Sequence, residues 1–259
     1  LADKKLFIFD IDGTLLNDKG AVLDSTKEAL KKINETHEVA IATGRNRTMA
    51  MDIIEELDIS TYIVCNGAAA FYKNEAIYKN KLDSDEVKQL IERADKNGHQ
   101  LIYETVDDLK RRDAEPNDRM VNGMKHVGYP VPEQYRDFYK ENDLVQCLIF
   151  YSEDEAGTYE EDQFKAFRFV RWYEAGVDVL PIDGSKLNTI KRLADHMNID
   201  MKDVIAFGDG LNDLEMIEHA GIGVAMGNAR EEVKAVADLV TDSHTADGIV
   251  NALKEMKFI

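Results

Sequence analysis

Lysine and arginine are in short supply. The chain has 32 of them against 50 aspartates and glutamates in 259 residues, for a formal net charge of −18. Such a surface repels nucleic acid and anionic membranes, which argues against both as partners while leaving room for one local basic pocket. Cysteine is scarce too. Cys65 in "YIVCNG" and Cys147 in "LVQCLIFY" each lie inside an apolar run. That suits buried free thiols in a reducing cytoplasm and speaks against a disulfide framework. No apolar run approaches the ~20 residues that span a bilayer. Asp3, Lys4 and Lys5 ahead of a short strand do not read as a signal peptide. The six histidines are scattered, with no His-x-x-x-His pair, so zinc is not expected. No G-x-x-x-x-G-K-[ST] occurs, which excludes a P-loop, and "GIGVAMG" (221–227) carries Met226 where a dinucleotide fingerprint needs its third glycine. Repeats and low-complexity stretches are also missing.

What is present is ordinary for a globular protein, with 44% apolar and 32% charged residues. The length allows one large or two modest domains. The first eighty residues alternate strand and helix. "LFIF" (6–9) is apolar throughout, as a strand buried on both faces is. A helix follows near Ser25–Ile33, with Ser25 a candidate N-cap, then a strand in "EVAIATGR" (38–45), a helix over 47–57 and a strand in "YIVCNGA" (62–68). The last third resumes the rhythm, with helices over 186–197, 212–220, 230–237 and 248–256 and strands over 203–209 and 221–227. Strands alternating with helices imply βαβ units and a parallel sheet.

Residues ~83–183 differ. Strand candidates at 99–105, 144–151, 164–172 and 176–182 cluster with loops too short for crossover helices, beside helices at 84–97 and within 133–141. The expected fold is therefore α/β: a Rossmann-like parallel-sheet core with an inserted α+β cap domain. Residues 1–82 and 184–259 would form the catalytic core and 83–183 the cap.

The chemistry concentrates where strands end. Asp10 and Asp12 stand one residue apart at the carboxyl end of the first strand, the edge at which open α/β sheets bind ligands. Carboxylates so close repel each other unless a cation or a shared proton sits between them. Asp-x-Asp-Gly by itself reads equally as a turn. As a calcium loop it fails, because Leu15 falls where the loop needs Gly and Ala21 where it needs Glu. Three further stretches fall at predicted strand ends: Thr43-Gly44-Arg45, Asn66-Gly67 and "GDGLND" (208–213). Lys186 opens the helix after the insert. Converged on one edge, these groups supply metal-binding carboxylates, a hydroxyl and backbone N–H groups for anionic oxygens, and one ammonium, which together suit phosphoryl transfer.

"DIDGT", "ATGR", the lysine after the insert and "GDGLND" resemble, in this order, the four motifs of the haloacid dehalogenase superfamily. The α+β insert before the fourth motif, with "NGA" and "GVAMGNA" (223–229), resembles the Cof-type phosphatases with a C2-type cap. The resemblance implies a hydrolase of small phosphorylated metabolites such as a sugar phosphate, a nucleotide or a vitamin phosphate. Asp10 would be the nucleophile that becomes an aspartyl-phosphate, and Asp12 the general acid and then base. Mg²⁺ would be the cofactor, held by Asp10, the Asp12 main-chain carbonyl and Asp209, with Asp213 orienting those ligands. Thr43, Gly44, Lys186 and Asn212 would bind phosphate. One position departs: Leu187 follows the lysine where the family usually carries Gly. Two other readings are a phosphosugar mutase of the same superfamily, which shares the first motif, and a non-catalytic phosphoacceptor switch built on an Asp, a Thr and a Lys of an α/β sheet. The switch has no use for Asp12 as an acid or for a cap. The cap is expected to act as a lid hinged near Leu82-Asp83 and Pro181–Ser185. Its arginines in "LKRRD" (109–113) and "FRFVRWYE" (167–174) are either plain surface or contacts to anionic or sugar groups.

Overall fold

The computed structural model describes residues 4–160 and 163–259. They form two compact units, one of Leu1–Arg45, Met49–Tyr78 and Ser185–Ile259, the other of Asn46–Thr48 and Lys79–Gly184. In chain order the first stretch holds β1 (Leu6–Phe9), α1 (Asp24–Asn34), β2 (Glu38–Ala42), α2 (Arg47–Glu56), β3 (Tyr62–Val64), β4 (Ala69–Tyr72) and β5 (Glu75–Lys79). The middle stretch holds α3 (Ser84–Asn97), β6 (Gln100–Glu104), β7 (Leu109–Arg111), α4 (Asp118–His126), α5 (Phe138–Glu141), β8 (Gln146–Phe150), β9 (Phe167–Arg171) and β10 (Gly176–Pro181). The last stretch holds α6 (Lys186–Met197), β11 (Val204–Gly208), α7 (Leu214–His219), β12 (Ile222–Ala225), α8 (Glu231–Val236), β13 (Leu239–Val240) and α9 (Gly248–Glu255).

The first unit is built on a sheet of order β13-β12-β11-β1-β2-β3-β4-β5. From β13 to β3 every pair is parallel, and β4 runs antiparallel to β3. β1 lies at the centre, paired with β11 on one side and β2 on the other. That explains its continuous apolar run: Leu6, Phe7, Ile8 and Phe9 are all fully buried. Each such side chain contributes roughly 1.5–3 kcal/mol of burial. The α/β reading holds, with a parallel-dominated sheet. Ser25 does not cap α1, because Leu23 occupies the N-cap position and the Ser25 hydroxyl instead donates to Asp247 at 2.5 Å. The strand read over 62–68 stops at Val64, because the backbone turns left-handed at Cys65. The hairpin β4–β5 has no counterpart in the sequence reading. It turns on Lys73-Asn74, both at positive φ, and lysine is not a usual signal for such a turn.

The second unit is a sheet of order β7-β6-β8-β10-β9, antiparallel throughout. Alternate residues face opposite sides of a strand. Leu101, Tyr103, Cys147 and Ile149 pack with α3 residues Val87, Leu90, Ile91 and Ala94, while Ile102, Leu148 and Phe150 pack with Met120 and Met124 of α4. Helices cover both faces, so these strands read as apolar runs rather than alternating ones. The helix expected within 133–141 is α5, confined to the end of that stretch. Arg111 exchanges backbone bonds with Glu133 (3.0 Å) and Tyr135 (2.9 Å), leaving only α5 in that stretch. α4 escaped the sequence reading because Asn122 and Gly123 are weak helix formers. Its Asn117 cap and the Met120–Met124 face hold it. Cys65 and Cys147 are buried free thiols. Among the described residues no helix is long and apolar enough to cross a membrane.

Candidate active site

The site lies at the carboxyl ends of β1, β2, β3 and β11, all in the first unit. Asp10 continues β1, its N–H bonded to the Phe207 carbonyl of β11 at 3.0 Å. The chain then folds tightly, with the Ile11 carbonyl accepting from Leu15 and Leu16, each at 3.0 Å. Gly13 sits in this turn at φ +77°, and a Cβ there would lie 2.3 Å from the Asp209 carboxylate. Only glycine satisfies both conditions. Thr43 follows β2 and is buried. Its hydroxyl accepts from the Arg45 N–H at 3.1 Å, and its carbonyl accepts from the Asn66 N–H at 3.1 Å. Gly44 lies between them against the Asn66 carboxamide.

After β3 three residues in succession, Cys65, Asn66 and Gly67, take positive φ. This turn seats α6. A Cβ on Gly67 would lie 2.2 Å from the Ser185 carbonyl oxygen, and the Thr189 hydroxyl donates to the Gly67 carbonyl. Ser185 caps α6 through the Asn188 N–H. The first residue of that helix is Lys186, and its ammonium is 2.6 Å from Asp10 Oδ1 and 2.6 Å from Asp213 Oδ1. Lys186 is 1% exposed, Asp10 5% and Asp213 0%, so this is a desolvated pair of ion pairs. The second Asp213 oxygen accepts from the N–H groups of Asp209 and Gly210, both at 3.0 Å, which shapes the loop after β11.

Asp10, Asp209 and Asp213 bring carboxylate oxygens within 4.8 Å of one another. Burial, then the Asp213 charge, push the Asp10 carboxyl well above its ordinary range, against the opposing charge of Lys186. The same two causes push Asp209 up to about 6. For Lys186, burial favours the neutral amine, but the charges of Asp10 and Asp213 and their hydrogen bonds outweigh it, so the ammonium persists. Three carboxylates thus face one ammonium.

A family model for haloacid dehalogenase-like hydrolases matches residues 7–253. The chain is a haloacid dehalogenase-like hydrolase. It is 38% identical over 255 residues to YkrA of Bacillus subtilis (strain 168), covering 98% of each chain. Among solved structures, BT1666 of Bacteroides thetaiotaomicron, described among phosphatases of the haloalkanoate superfamily, superposes with a TM-score of 0.91 at 27% identity over 99% of this chain and 96% of its own. The subclass IIB sugar phosphatase BT4131 superposes with a TM-score of 0.85 at 32% identity over 99% of this chain and 100% of its own.

In this hydrolase the donor set fits a hard divalent cation: carboxylate oxygens only, mutually repelling and partly desolvated. The hydrogen bonds to Asp209 are long, 3.3 Å from Thr14 and 3.4 Å from Asn228, and those to the Asp10 carboxylate end on Oδ1. The structure brings together Asp10, Lys186, Asp209 and Asp213, with Thr43 at the end of the adjacent strand β2. It does not place the Asp12 carboxylate in the acidic cluster: that group lies in a two-armed ion pair with Arg45, at 2.8 and 2.6 Å. Asn212 donates to the Asn66 carboxamide oxygen at 3.1 Å. Sequence reasoning gave no role to Arg45, Asn66 or Asn228, although all three stand in the strings "ATGR", "NGA" and "GVAMGNA". Asn228 ties two loops, donating to the Gly13 carbonyl at 2.8 Å and reaching Asp209.

Proposed function

We propose that this hydrolase cleaves phosphomonoesters of small metabolites in two displacements, with the phosphoryl group held in between on Asp10. The observation that carries the reading is the buried Asp10 carboxylate bonded through Oδ1 to Lys186, with Asp209 and Asp213 beside it. Asp10 Oδ2 attacks phosphorus, the ester P–O bond breaks, and the leaving alkoxide takes a proton from the Asp12 carboxyl. Water then attacks phosphorus and gives its proton to Asp12. The bond from phosphorus to Asp10 breaks, and inorganic phosphate departs with both side chains restored. Lys186 offsets charge on Asp10, and Thr43 and the Gly44 N–H would receive phosphate oxygens. Asn212 adds an amide donor there. Asp10, Asp209 and the Asp12 main-chain carbonyl would hold Mg²⁺, which when bound supplies positive charge for the transferred group.

Selection among esters is assigned to the second unit, because the site residues of the first address only the phosphoryl group. Three of its arginines are already engaged. Arg111 donates to the carbonyls of Pro132, Asp113 and Ala114, Arg112 pairs with Asp95, and Arg171 donates to the carbonyls of Tyr151 and Glu174.

The test is a panel of sugar phosphates, nucleotides and vitamin phosphates, compared by kcat/KM from phosphate release with Mg²⁺ present. Phosphate release that disappears in Asp10→Asn supports the reading. Formation of an isomeric phosphate without free phosphate indicates a mutase, and no turnover of any ester overturns the proposal.

A further inference from the structure

The two-armed contact between Arg45 and Asp12 is not explained by stability. The Asp12 side chain is 60% exposed, and ion pairs at that exposure contribute at most about 1 kcal/mol. Yet the arginine is anchored from several directions. Its N–H donates to the Thr43 hydroxyl at 3.1 Å, and its carbonyl accepts from Cys65 at 2.8 Å. Its Nη1 donates to the Met49 carbonyl at 3.3 Å, and its side chain is only 18% exposed. A half-buried guanidinium thus holds an open carboxylate by both oxygens. The neighbouring cluster explains why a clamp is needed. Asp12 is two residues from Asp10, where one ammonium already serves Asp10 and Asp213, with the Asp209 carboxylate beside them. A fourth would add repulsion, and a divalent cation there would attract it.

We propose that Arg45 is a positioning residue: its fork keeps the Asp12 carboxylate out of the metal-binding cluster and oriented for proton transfer to the leaving oxygen. This rests on the two-displacement reading above. A fork uses both carboxylate oxygens, so taking a proton on one breaks one arm and keeps the other. The carboxyl stays oriented while the protonated oxygen is presented to the ester. Without Arg45 the side chain keeps its chemistry but loses its place.

The effect depends on the leaving group. An alkoxide needs the acid, whereas 4-nitrophenolate leaves without it. The experiment therefore compares kcat/KM for the best alkyl phosphomonoester of the panel with that for 4-nitrophenyl phosphate, in wild type, Arg45→Ala, Arg45→Lys and Asp12→Asn. General acid catalysis is worth about 10²–10⁴-fold, so a misplaced acid in Arg45→Ala should lose roughly 10–100-fold on the alkyl ester and less than about threefold on the nitrophenyl ester. Arg45→Lys, which keeps the charge but not the fork, should fall between. On the Asp12→Asn background, Arg45→Ala should cost nothing further. Thermal melts of each variant separate these effects from misfolding, and the backbone anchors of residue 45 do not need its side chain. Equal losses on both esters, as a substrate-binding arginine would give, overturn the assignment, and so does additivity with Asp12→Asn. A wild-type protein that releases phosphate from neither ester overturns the phosphatase reading itself.

Discussion

Replacing Lys186 by Met would remove one ammonium and leave its aliphatic volume in place. The consequence follows from burial. Asp10 and Asp213 are 5% and 0% exposed, and both rely on the same Nζ at 2.6 Å. Breaking a buried pair by removing one partner costs about 3–5 kcal/mol, because an uncompensated charge stays in the interior. Two carboxylates lose their cation here, so the upper half of that range is expected. In a chain of this size, at about 2–4 °C per kcal/mol, the melting temperature should drop by roughly 8–20 °C at pH 8. The loss should shrink at pH 5, and its sign follows from proton counting. Burial and the Asp213 charge already hold the Asp10 carboxyl well above its ordinary range, with Lys186 opposing them. Without the lysine it rises further. The folded variant then binds protons that the unfolded chain does not, and its stability increases as pH falls. Thermal melts and urea titrations in EDTA at both pH values measure this. Adding Asp213→Asn should recover part of the loss, since it removes one of the stranded charges. A loss under about 1 kcal/mol at pH 8, or one that does not shrink at pH 5, would refute the reasoning that the cluster is desolvated and lysine-compensated.

Asp10→Asn should reduce turnover by roughly 10³-fold or more without lowering the melting temperature, because an amide is a poor nucleophile and relieves repulsion in the cluster. In the metal-free protein Asp209 ionises near 6 rather than near its ordinary 3.8. Its contribution to stability is therefore complete below about 4 and lost as pH rises through about 6. Mg²⁺ favours the ionised carboxylates, so its stabilising shift in melts should be larger at pH 8 than at pH 5, and an equal shift at both counts against binding in this cluster. Gly67→Ala puts a methyl group 2.2 Å from the Ser185 carbonyl oxygen at a φ of +98°. It should destabilise by at least about 1–3 kcal/mol and lower kcat by displacing the start of α6, while unchanged melts and turnover would show that the turn does not set Lys186.

The sequence was most legible where a local period carries the signal. β1 and β11 are continuous apolar runs, and α3 and α6 repeat apolar residues every three or four positions with Asp83 and Ser185 as caps. The span of α6 matches the helix read from its apolar period over 186–197, while its Ser185 cap is visible only in the structure. Elements held by long-range partners were missed. β7 exists because Ile102 and Arg111 pair across a hairpin, and the 133–135 stretch is not helical because it bonds to Arg111 rather than to itself. No window of neighbouring residues contains those facts.

The site divides in the same way. The order and types of Asp10, Asp12, Thr43, Lys186, Asp209 and Asp213 are properties of the string, and with parallel strands their positions at strand ends require them to meet on one edge. What the string does not hold is direction. That Lys186 bridges Asp10 and Asp213, that Asp213 spends its other oxygen on the N–H groups of its own loop, and that Asp12 turns to Arg45 are outcomes of side-chain geometry across segments up to 176 residues apart. Charge selects among those outcomes: a buried ammonium goes where two carboxylates already are, and a fourth carboxylate goes where a guanidinium can hold it. The residues that can do chemistry are therefore written in the sequence. Which of them face one another is settled only by packing, because the energies that choose the partners come from desolvation and Coulomb forces that exist only in the folded chain.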